Sequence, residues 1–237
     1  HEMNNPLAFV GTNLAFVDAE LRGAGAADPE VLAALAESRG GLDRMKHIVQ
    51  ELRGFARGRA DGPGPVDAAA ALEEARRTLA ARFARTARLE VRAAPDLPLV
   101  LADRAELVQV LVNLLANAAD AVEQQGRTPA LVEAELTAFD GGVVVAIADS
   151  GPGLSAEAQA HAFEPFFSTK GQRGTGLGLA LSREFVERWG GRIEAANRPA
   201  GGARLTVVLR RADGMDGPGR GGGGPEGRLA PRVAAAG

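Results

Sequence analysis

Apolar residues recur at alternating spacings of four and three along the first part of the chain, and this repeat constrains the fold most strongly. They form an a/d seam over about three heptads, and its members are Met3, Leu7, Val10, Leu14, Val17 and Leu21. After a break at Gly23-Ala-Gly25, Asp28-Pro29 is a typical helix start. The seam then resumes through Val31, Leu35, Ser38, Leu42, Met45, Val49 and Leu52, of which Ser38 alone is polar.

Two helices with such narrow apolar seams bury little surface by themselves. The repeat therefore predicts a helical hairpin that pairs with a second copy to form a dimeric four-helix bundle. A stretch rich in glycine and proline, GRADGPGP, follows the hairpin and has the composition of a linker.

Helix-forming and strand-forming segments alternate in the rest of the chain. We predict helices from Asp67 to Phe83, from Asp103 to about Glu123 and from Leu177 to Trp189. The predicted strands are RLEVRA, the hairpin LVEAELTA–GVVVAIA and the hairpin GGRIEAA–ARLTVVL. The fold class is therefore α+β, in which a helical hairpin precedes a two-layer α/β sandwich with helices on one face of the sheet.

The sequence divides into four parts on this interpretation. Residues 1–58 form the hairpin, 59–65 a linker, 66–212 the α/β domain and 213–237 a disordered tail rich in glycine and proline. Because the chain begins with His1 and no membrane-length apolar run is evident, we expect a cytoplasmic fragment whose anchor, if any, lies upstream. We expect no membrane contact within it.

Charge and cysteine content exclude two classes of function. The formal net charge is −3, so no global basic field indicates nucleic-acid binding. The chain has no cysteine, which excludes disulfides and thiolate metal sites.

The opening heptapeptide HEMNNPL carries a candidate nucleophile. His1, Glu2 and Asn5 fall off the apolar seam, on the solvent face of the predicted helix. An exposed imidazole is mostly neutral near pH 7 and can attack phosphorus, while a neighbouring carboxylate can hold its other ring nitrogen. Taken alone, a solvated histidine in an ordinary helix is the better interpretation, and the motifs downstream reverse that preference.

NLLANAADAV places Asn113 and Asn117 four residues apart on one helix face. Two carboxamides at this spacing can give neutral oxygen ligands to a Mg²⁺ ion that also binds phosphate oxygens. Local hydrogen bonding to the backbone is the alternative.

Two glycine-rich motifs complete the candidate nucleotide site. In DSGPG, Asp149 can accept a hydrogen bond from the adenine amine, while Gly151 and Gly153 permit close backbone approach. GTGLGLAL precedes a helix whose bare N–H groups favour phosphate, and its candidate residues are Gly174, Gly176, Leu177 and Gly178. Between these motifs, FEPFFSTK offers aromatic residues for packing and Lys170 for a terminal phosphate.

These motifs together resemble those of the sensor histidine kinases of two-component systems, over about residues 1 to 210. HEMNNPL is similar to the phosphoacceptor box, NLLANAADAV to the asparagine box, DSGPG and GTGLGL to the glycine boxes, and FEPFF to the phenylalanine box. The first two look most like the nitrogen-regulation branch. The resemblance implies an ATP-binding domain of the histidine kinase, topoisomerase and chaperone ATPase type.

The resemblance also implies roles for individual residues. His1 would be phosphorylated from ATP, Glu2 would be its base or orienting acid, and Asn5 would position water for dephosphorylation of a response regulator receiver domain. Asn117 would bind Mg²⁺ with support from Asn113. Asp149 would bind adenine with Thr206 nearby. A homodimer through residues 1–58 is implied as well. The alternative is a non-kinase ATPase of the same superfamily, although asparagine at position 113, where such ATPases commonly carry glutamate, disfavours it.

Overall fold

The first two described elements are an antiparallel pair of helices, α1 (Asn4–Gly23) and α2 (Pro29–Arg57). The structure is a computed structural model that describes residues 4–23, 28–57, 62–126, 130–170 and 174–212. The Asp28 carboxylate accepts a hydrogen bond of 2.9 Å from the Glu30 N–H at the start of α2. The predicted helix start is therefore confirmed.

Some apolar residues of the hairpin seam are buried between the two helices, and others face the solvent. Leu7, Leu14 and Leu21 are half-buried, and Leu42 on α2 is buried. Six other apolar side chains remain exposed, namely Phe9, Val10, Phe16 and Val17 on α1 with Val31 and Met45 on α2, whereas Leu35 is half-buried. The hairpin thus satisfies only part of its own seam, because a pair of helices has one shared face.

An ion pair across the hairpin fixes its two helices in register. Asp18 on α1 accepts hydrogen bonds from Arg22 at 2.8 Å and from Arg39 of α2 at 2.7 Å. These bonds lower the pKa of Asp18, and the bond from Arg22 has the largest effect. The pair connects the last third of α1 to the first half of α2.

The second part of the chain is a five-stranded sheet with helices on one face. Its elements are β1 (Gly64–Val66), α3 (Ala68–Thr78), α4 (Ala80–Thr86), β2 (Arg88–Ala93), β3 (Val100–Ala102), α5 (Arg104–Gln125), β4 (Leu131–Phe139), β5 (Gly142–Asp149), α6 (Ala156–His161), α7 (Gly178–Arg188), β6 (Arg192–Asn197) and β7 (Ala203–Arg210). The strand order is β2-β4-β5-β7-β6, in which β2 and β4 run parallel and all other neighbours antiparallel. This confirms the predicted two-layer α/β arrangement.

The core lies between the sheet and α5, whose inward side chains include Leu107, Leu111 and Leu114 at 0% exposure. By length and composition α5 could cross a bilayer, but half of its most apolar stretch is buried in this core. The expectation that no segment reaches membrane-spanning length was therefore wrong for this helix. Its apolar character follows from its position at the centre of the domain.

Two local predictions differ from the structure. The single helix from Asp67 to Phe83 is divided at Leu79 into α3 and α4, and the change of direction lets Phe83 enter the core. Gly64 and Pro65, which we placed in the linker, belong to β1 and pair with β3. A three-residue strand carries too few side chains for a periodic signal. The predicted tail, 213–237, lies outside the described residues.

Glu106 joins the start of α5 to the end of α7. The Asp103 carboxylate caps α5 by accepting from the Glu106 N–H at 3.0 Å, as the sequence predicts. The Glu106 carboxylate is 4% exposed and accepts from Arg188 at 2.9 Å. Burial raises the pKa of Glu106, while the ion pair with Arg188 opposes this effect. The two helices that carry the candidate site are therefore joined at their ends remote from it.

Candidate functional site

One stripe of α5 contacts all the predicted nucleotide-binding motifs in order. Asn113, Asn117 and Ala121 are four residues apart and therefore lie on the same face of the helix. Asn113 lies against the backbone of Gly178, Asn117 contacts Lys170, and Ala121 lies against Gly151. Since a helix rises 1.5 Å per residue, the three positions span about 12 Å.

Asp149 lies at the end of β5 next to the Ala121 end of this stripe. It is 5% exposed, and its Oδ1 accepts hydrogen bonds from the backbone N–H groups of Gly151 at 2.8 Å and Ala203 at 3.2 Å. Burial raises the pKa of Asp149, and these two hydrogen bonds and the charge of Arg198 oppose the rise. Among the hydrogen bonds of the described residues, none uses Oδ2, so this oxygen is left for an outside donor such as an exocyclic amine.

Close backbone approach explains the glycines around Asp149. A Cβ at Gly151 would lie 2.7 Å from Asp149 Oδ1 and 2.9 Å from the Ala121 Cβ. Gly153 has φ +81°, and a Cβ there would lie 2.9 Å from Asn197 Oδ1. The predicted reason for both glycines is thus confirmed, although whether they contact adenine stays a prediction.

The start of α7 lies against Asn113. The Asn113 Nδ2 donates to Ser182 Oγ at 3.0 Å, and the Ser182 hydroxyl donates to the Gly178 carbonyl at 2.9 Å. The N-cap residue Leu177 makes no side-chain capping hydrogen bond. The first N–H groups of α7 therefore lack a side-chain cap and are suited to an anion.

We predict that Gly178→Ala damages this corner. The new Cβ would lie 2.4 Å from Asn113 Oδ1, so the carboxamide must turn away from Ser182. Crowding of this kind costs about 1–3 kcal/mol, although alanine is otherwise the better residue in a helix. A lower melting temperature and roughly tenfold weaker ATP binding are expected, measured by calorimetry. Gly23→Ala is the matched control, because nothing lies within 4 Å of its added Cβ. Equal behaviour of the two variants would contradict the prediction.

Lys170 connects the loop after α6 to the middle of the α5 stripe. Its Nζ donates to Asn117 Oδ1 at 2.6 Å and to Asp120 Oδ2 at 2.5 Å. The other oxygen of Asp120 pairs with Arg82 of α4. Burial alone would raise the pKa of Asp120, but Lys170 and Arg82 outweigh burial and lower it. A cation thus already lies at the Asn117 oxygen.

The residues around Asn117 fit a magnesium ion that is bound mainly through phosphate. Among the described residues, no group of three or more histidine, aspartate or glutamate side chains could hold a metal by itself. The Asn117 oxygen is bonded to the Lys170 ammonium, so it accepts a positive charge in this position. Asn113 faces Asn117 at 3.5 Å and is oriented by Ser182. Asn117 is therefore the better candidate ligand and Asn113 its support.

The phenylalanine-rich loop contacts the second glycine motif through its backbone. The Phe166 N–H donates to the Gly176 carbonyl at 2.9 Å, and a Cβ at Gly176 would lie 2.3 Å from the Phe166 carbonyl carbon. Gly174 is equally crowded, because its Cβ would lie 1.9 Å from Ser168 Oγ. Phe163 packs against the core, whereas Phe166 is exposed. Packing thus explains only part of the aromatic cluster.

The prediction that Thr206 lies near Asp149 was wrong. Thr206 of β7 pairs with Ala146 of β5, while the neighbouring pair is Leu205 with Ile147. Ile147 and Leu205 face the helices, and so does Asp149, two residues after Ile147. Side chains alternate along a strand, so Thr206 lies on the opposite face of the sheet. The β7 residue that contacts Asp149 is Ala203, through its backbone.

The proposed phosphoacceptor region is only partly described. His1 and Glu2 lie outside the described residues, and Asn5 lies in the first turn of α1 without a described side chain. Their roles stay predictions.

Several residues of the site escaped sequence reasoning. Asp120, Ser182 and Arg198 each contact a predicted site residue, and Arg82 pairs with Asp120. Asp120 had a local signal, since it follows Asn117 by three residues and so lies near it on the helix. The other three come from distant segments, and only the fold brings them to the site.

Comparison with known proteins gives consistent results. Residues 102–213 match the family described as Histidine kinase-, DNA gyrase B-, and HSP90-like ATPase. The chain is 36% identical over 217 residues to the C4-dicarboxylate transport sensor protein DctB of Rhizobium meliloti, covering 90% of this chain and 33% of that protein. It is 35% identical over 167 residues to the sensory histidine kinase/phosphatase NtrB of Rhizobium leguminosarum bv. phaseoli, covering 64% of this chain and 43% of NtrB.

Among solved structures, full-length ShkA in complex with AMPPNP superimposes with a TM-score of 0.59 at 27% identity. That alignment covers 86% of this chain and 47% of ShkA. The chain therefore spans less than half the length of each of these three proteins.

Proposed function

This chain belongs to the family of the sensor histidine kinases, and on that premise we propose that it transfers the γ-phosphoryl group of ATP to His1. The phosphoryl group then passes to an aspartate in the receiver domain of a response regulator. We also propose that the chain helps to dephosphorylate that regulator, and that the reaction takes place in the cytoplasm.

The observation that carries this proposal is the stripe on α5. It contacts the Asp149 loop at one end and the start of α7 at the other, with Lys170 between them. The span of about 12 Å suits a nucleotide with its base at Asp149 and its phosphates near Asn117. The Asp149 Oδ2 would accept from the adenine amine, and the first N–H groups of α7 would bind phosphate oxygens.

Magnesium, when bound, would neutralise the negative charge that develops on the phosphates during transfer. Asn117 Oδ1 would hold it, and Asn113 would keep that carboxamide in place. Because Lys170 donates to the same Asn117 oxygen, its ammonium must leave that atom for the phosphates when the site is loaded. Asp120 remains paired with Arg82 and limits how far the lysine moves.

In the phosphoryl-transfer step, a ring nitrogen of His1 attacks the γ-phosphorus. A P–N bond forms while the bond to the leaving ADP oxygen breaks. Glu2 accepts a hydrogen bond from the second ring nitrogen and stabilises the positive charge that builds up on the imidazole. Nothing in this step requires Asn5, which we assign to the water that attacks the aspartyl phosphate of the regulator.

The proposal is tested by incubating the full-length protein with γ-labelled ATP. We expect label on the protein that is labile to acid and stable to base, together with transfer to a receiver domain. The second candidate, a non-kinase ATPase, predicts steady release of phosphate without a labelled protein. The Asn113 side chain argues against that candidate, because it is bonded to Ser182 and, unlike a carboxylate, cannot act as a base toward water.

We further propose that the protein dimerises through the exposed part of the hairpin seam. Val10 and Val17 lie one heptad apart and are 47% and 42% exposed, beside the exposed Phe9 and Phe16. Replacing both valines by aspartate should weaken the dimer about a hundredfold or more, because an unpaired charge is costly to bury. Analytical ultracentrifugation measures this. Val91→Asp on β2 is the control, since Val91 is 40% exposed but lies outside the hairpin. An unchanged dimer in the double variant would contradict the proposed interface.

Kinase and phosphatase activities should separate at two neighbouring positions. Asn5→Ala should leave autophosphorylation within about twofold and slow regulator dephosphorylation about a hundredfold, because water loses its orienting amide. Glu2→Ala should instead reduce autophosphorylation about a hundredfold or more, since the imidazolium loses its partner. Both activities are assayed in both variants with the cognate regulator. Loss of autophosphorylation with intact dephosphorylation in Asn5→Ala would overturn these roles.

A further inference from the structure

Residues at the turn between β6 and β7 form hydrogen bonds with both ends of the candidate adenine-binding loop. From Asp149 at the end of β5, the loop runs through Gly151 and Gly153 to Leu154. Asn197, the last residue of β6, and Arg198, the first residue of the turn, bond to the two ends of this loop. Neither was identified from the sequence, and the proposed phosphoryl transfer does not use either.

Arg198 acts on the Asp149 end of the loop. One guanidinium nitrogen donates to the Asp149 backbone carbonyl at 3.1 Å, and the other donates to Glu133 of β4 at 2.9 Å. The turn itself is closed by the Arg198 N–H, which donates to the Gly202 carbonyl at 2.9 Å. Arg198 therefore connects β4, the end of β5 and the turn, and its planar fork fixes the direction of both bonds.

Asn197 acts on the Leu154 end. Its Oδ1 accepts from the Leu154 N–H at 2.6 Å, and its Nδ2 donates to the Leu154 carbonyl at 2.9 Å. The side chain thus pairs with a backbone unit as a neighbouring strand would. Since a Cβ on Gly153 would collide with Asn197 Oδ1, the loop and the amide fit closely.

The two contacts converge on the Asp149 carboxylate. Its Oδ1 is held by the N–H groups of Gly151, inside the candidate adenine-binding loop, and of Ala203, which directly follows the turn. A Cβ at Gly202 would lie 1.9 Å from the Asp149 carbonyl oxygen, so the turn and the strand end are in close contact. Any shift of the turn relative to the loop therefore changes where Oδ2 points.

We propose that Asn197 and Arg198 are positioning residues that give the nucleotide site its selectivity for adenine. This inference rests on the proposed binding of ATP at Asp149. A carboxylate in the correct place accepts from the 6-amino group of adenine and repels the 6-oxo group of hypoxanthine. When the turn no longer holds the loop, ATP loses that hydrogen bond and the inosine nucleotide loses that repulsion.

The experiment compares ATP with inosine triphosphate, which carries an oxo group in place of the 6-amino group and a proton on N1. Binding of each nucleotide to the full chain is measured by calorimetry for the unaltered protein, R198M and N197A. R198M keeps an apolar stem of similar size but removes the guanidinium and with it both donors. R204M is the matched control, because Arg204 is an exposed arginine of β7 that lines the same open face of the sheet.

We expect the preference for ATP over inosine triphosphate to fall about tenfold or more in R198M and N197A, and to be unchanged in R204M. If the two residues had only a structural role, their replacement would weaken the binding of both nucleotides equally. An unchanged ratio of the two affinities would therefore overturn the inference. Asn197 is exposed, so N197A is expected to fold even where R198M does not. In that case the ratio of the ATP and inosine triphosphate affinities of N197A tests the inference. Failure of the unaltered protein to bind ATP would instead refute the proposed function.

Discussion

Replacement of His1 by glutamine is expected to abolish the acid-labile phosphoprotein completely. Glutamine has no nucleophilic ring nitrogen, so no P–N bond can form at this position. ATP binding should remain within about twofold, because the contacts we assign to the nucleotide lie on α5, on α7 and in the Asp149 loop. The measurement is incorporation of γ-labelled phosphate into the full-length protein, with nucleotide affinity determined in parallel.

A histidine elsewhere in the chain provides the control for this variant. His161 lies on α6 and pairs with Glu164 at 2.9 Å, outside the proposed reaction. His161→Gln should therefore keep normal labelling. Label that survives in His1→Gln, or that disappears only in His161→Gln, would overturn the assignment of the phosphoacceptor.

Asp149→Asn is expected to weaken ATP binding roughly ten- to hundredfold. A hydrogen bond to a charged group contributes about 1.5–3 kcal/mol, and asparagine removes the charge while keeping an oxygen for Gly151 and Ala203. The affinity for GTP, which lacks the 6-amino group, should change much less. Calorimetric titration with both nucleotides measures this. Equal losses of affinity for ATP and GTP would show that Asp149 does not contact adenine.

The same substitution should raise the melting temperature of the nucleotide-free protein. Burial raises the pKa of Asp149, so the folded state favours its neutral form. The contribution of this group to stability is therefore greatest below the pKa of the unfolded chain and is lost as pH rises through the raised pKa. At neutral pH the charged carboxylate opposes folding, and asparagine removes that cost. ATP affinity has the opposite pH dependence and should fall as Asp149 becomes protonated.

The sequence was sufficient for the elements that have strong local signals. The helix-start signals at Asp28 and Asp103 and the glycine-containing turns indicated where several helices and strands begin, and both carboxylates accept capping hydrogen bonds. The order of the motifs also brought Asn113, Asn117, Asp149 and Lys170 into one interpretation, and the fold places them along one side of α5. Local capping and periodicity are properties of short segments, so they can be recognised without the fold.

The errors arose where position depends on partners far along the chain. Thr206 was assigned by its place in a motif, but strand register puts it on the wrong face. The division at Leu79 separates α3 from α4, whose Phe83 packs against core residues from other parts of the chain. Arg82 and Arg198 reach the site from other elements, 38 residues from Asp120 and 49 residues from Asp149. No pattern within a short window encodes such distances.

The position of α5 has a consequence for how the site opens. The helix that bears Asn113 and Asn117 is also the centre of the core, so its backbone amides should exchange with solvent only when the whole domain unfolds. The loop after β5 packs on this helix at Ala121, and the loop after α6 is bonded to it through Lys170, so the amides of both loops should exchange through local openings. Hydrogen exchange should therefore be slow for the amides of α5 and fast for the amides of the two loops. Bound nucleotide should slow exchange mainly in the loops. On this basis, the loops rather than the helix determine how quickly nucleotide enters and leaves.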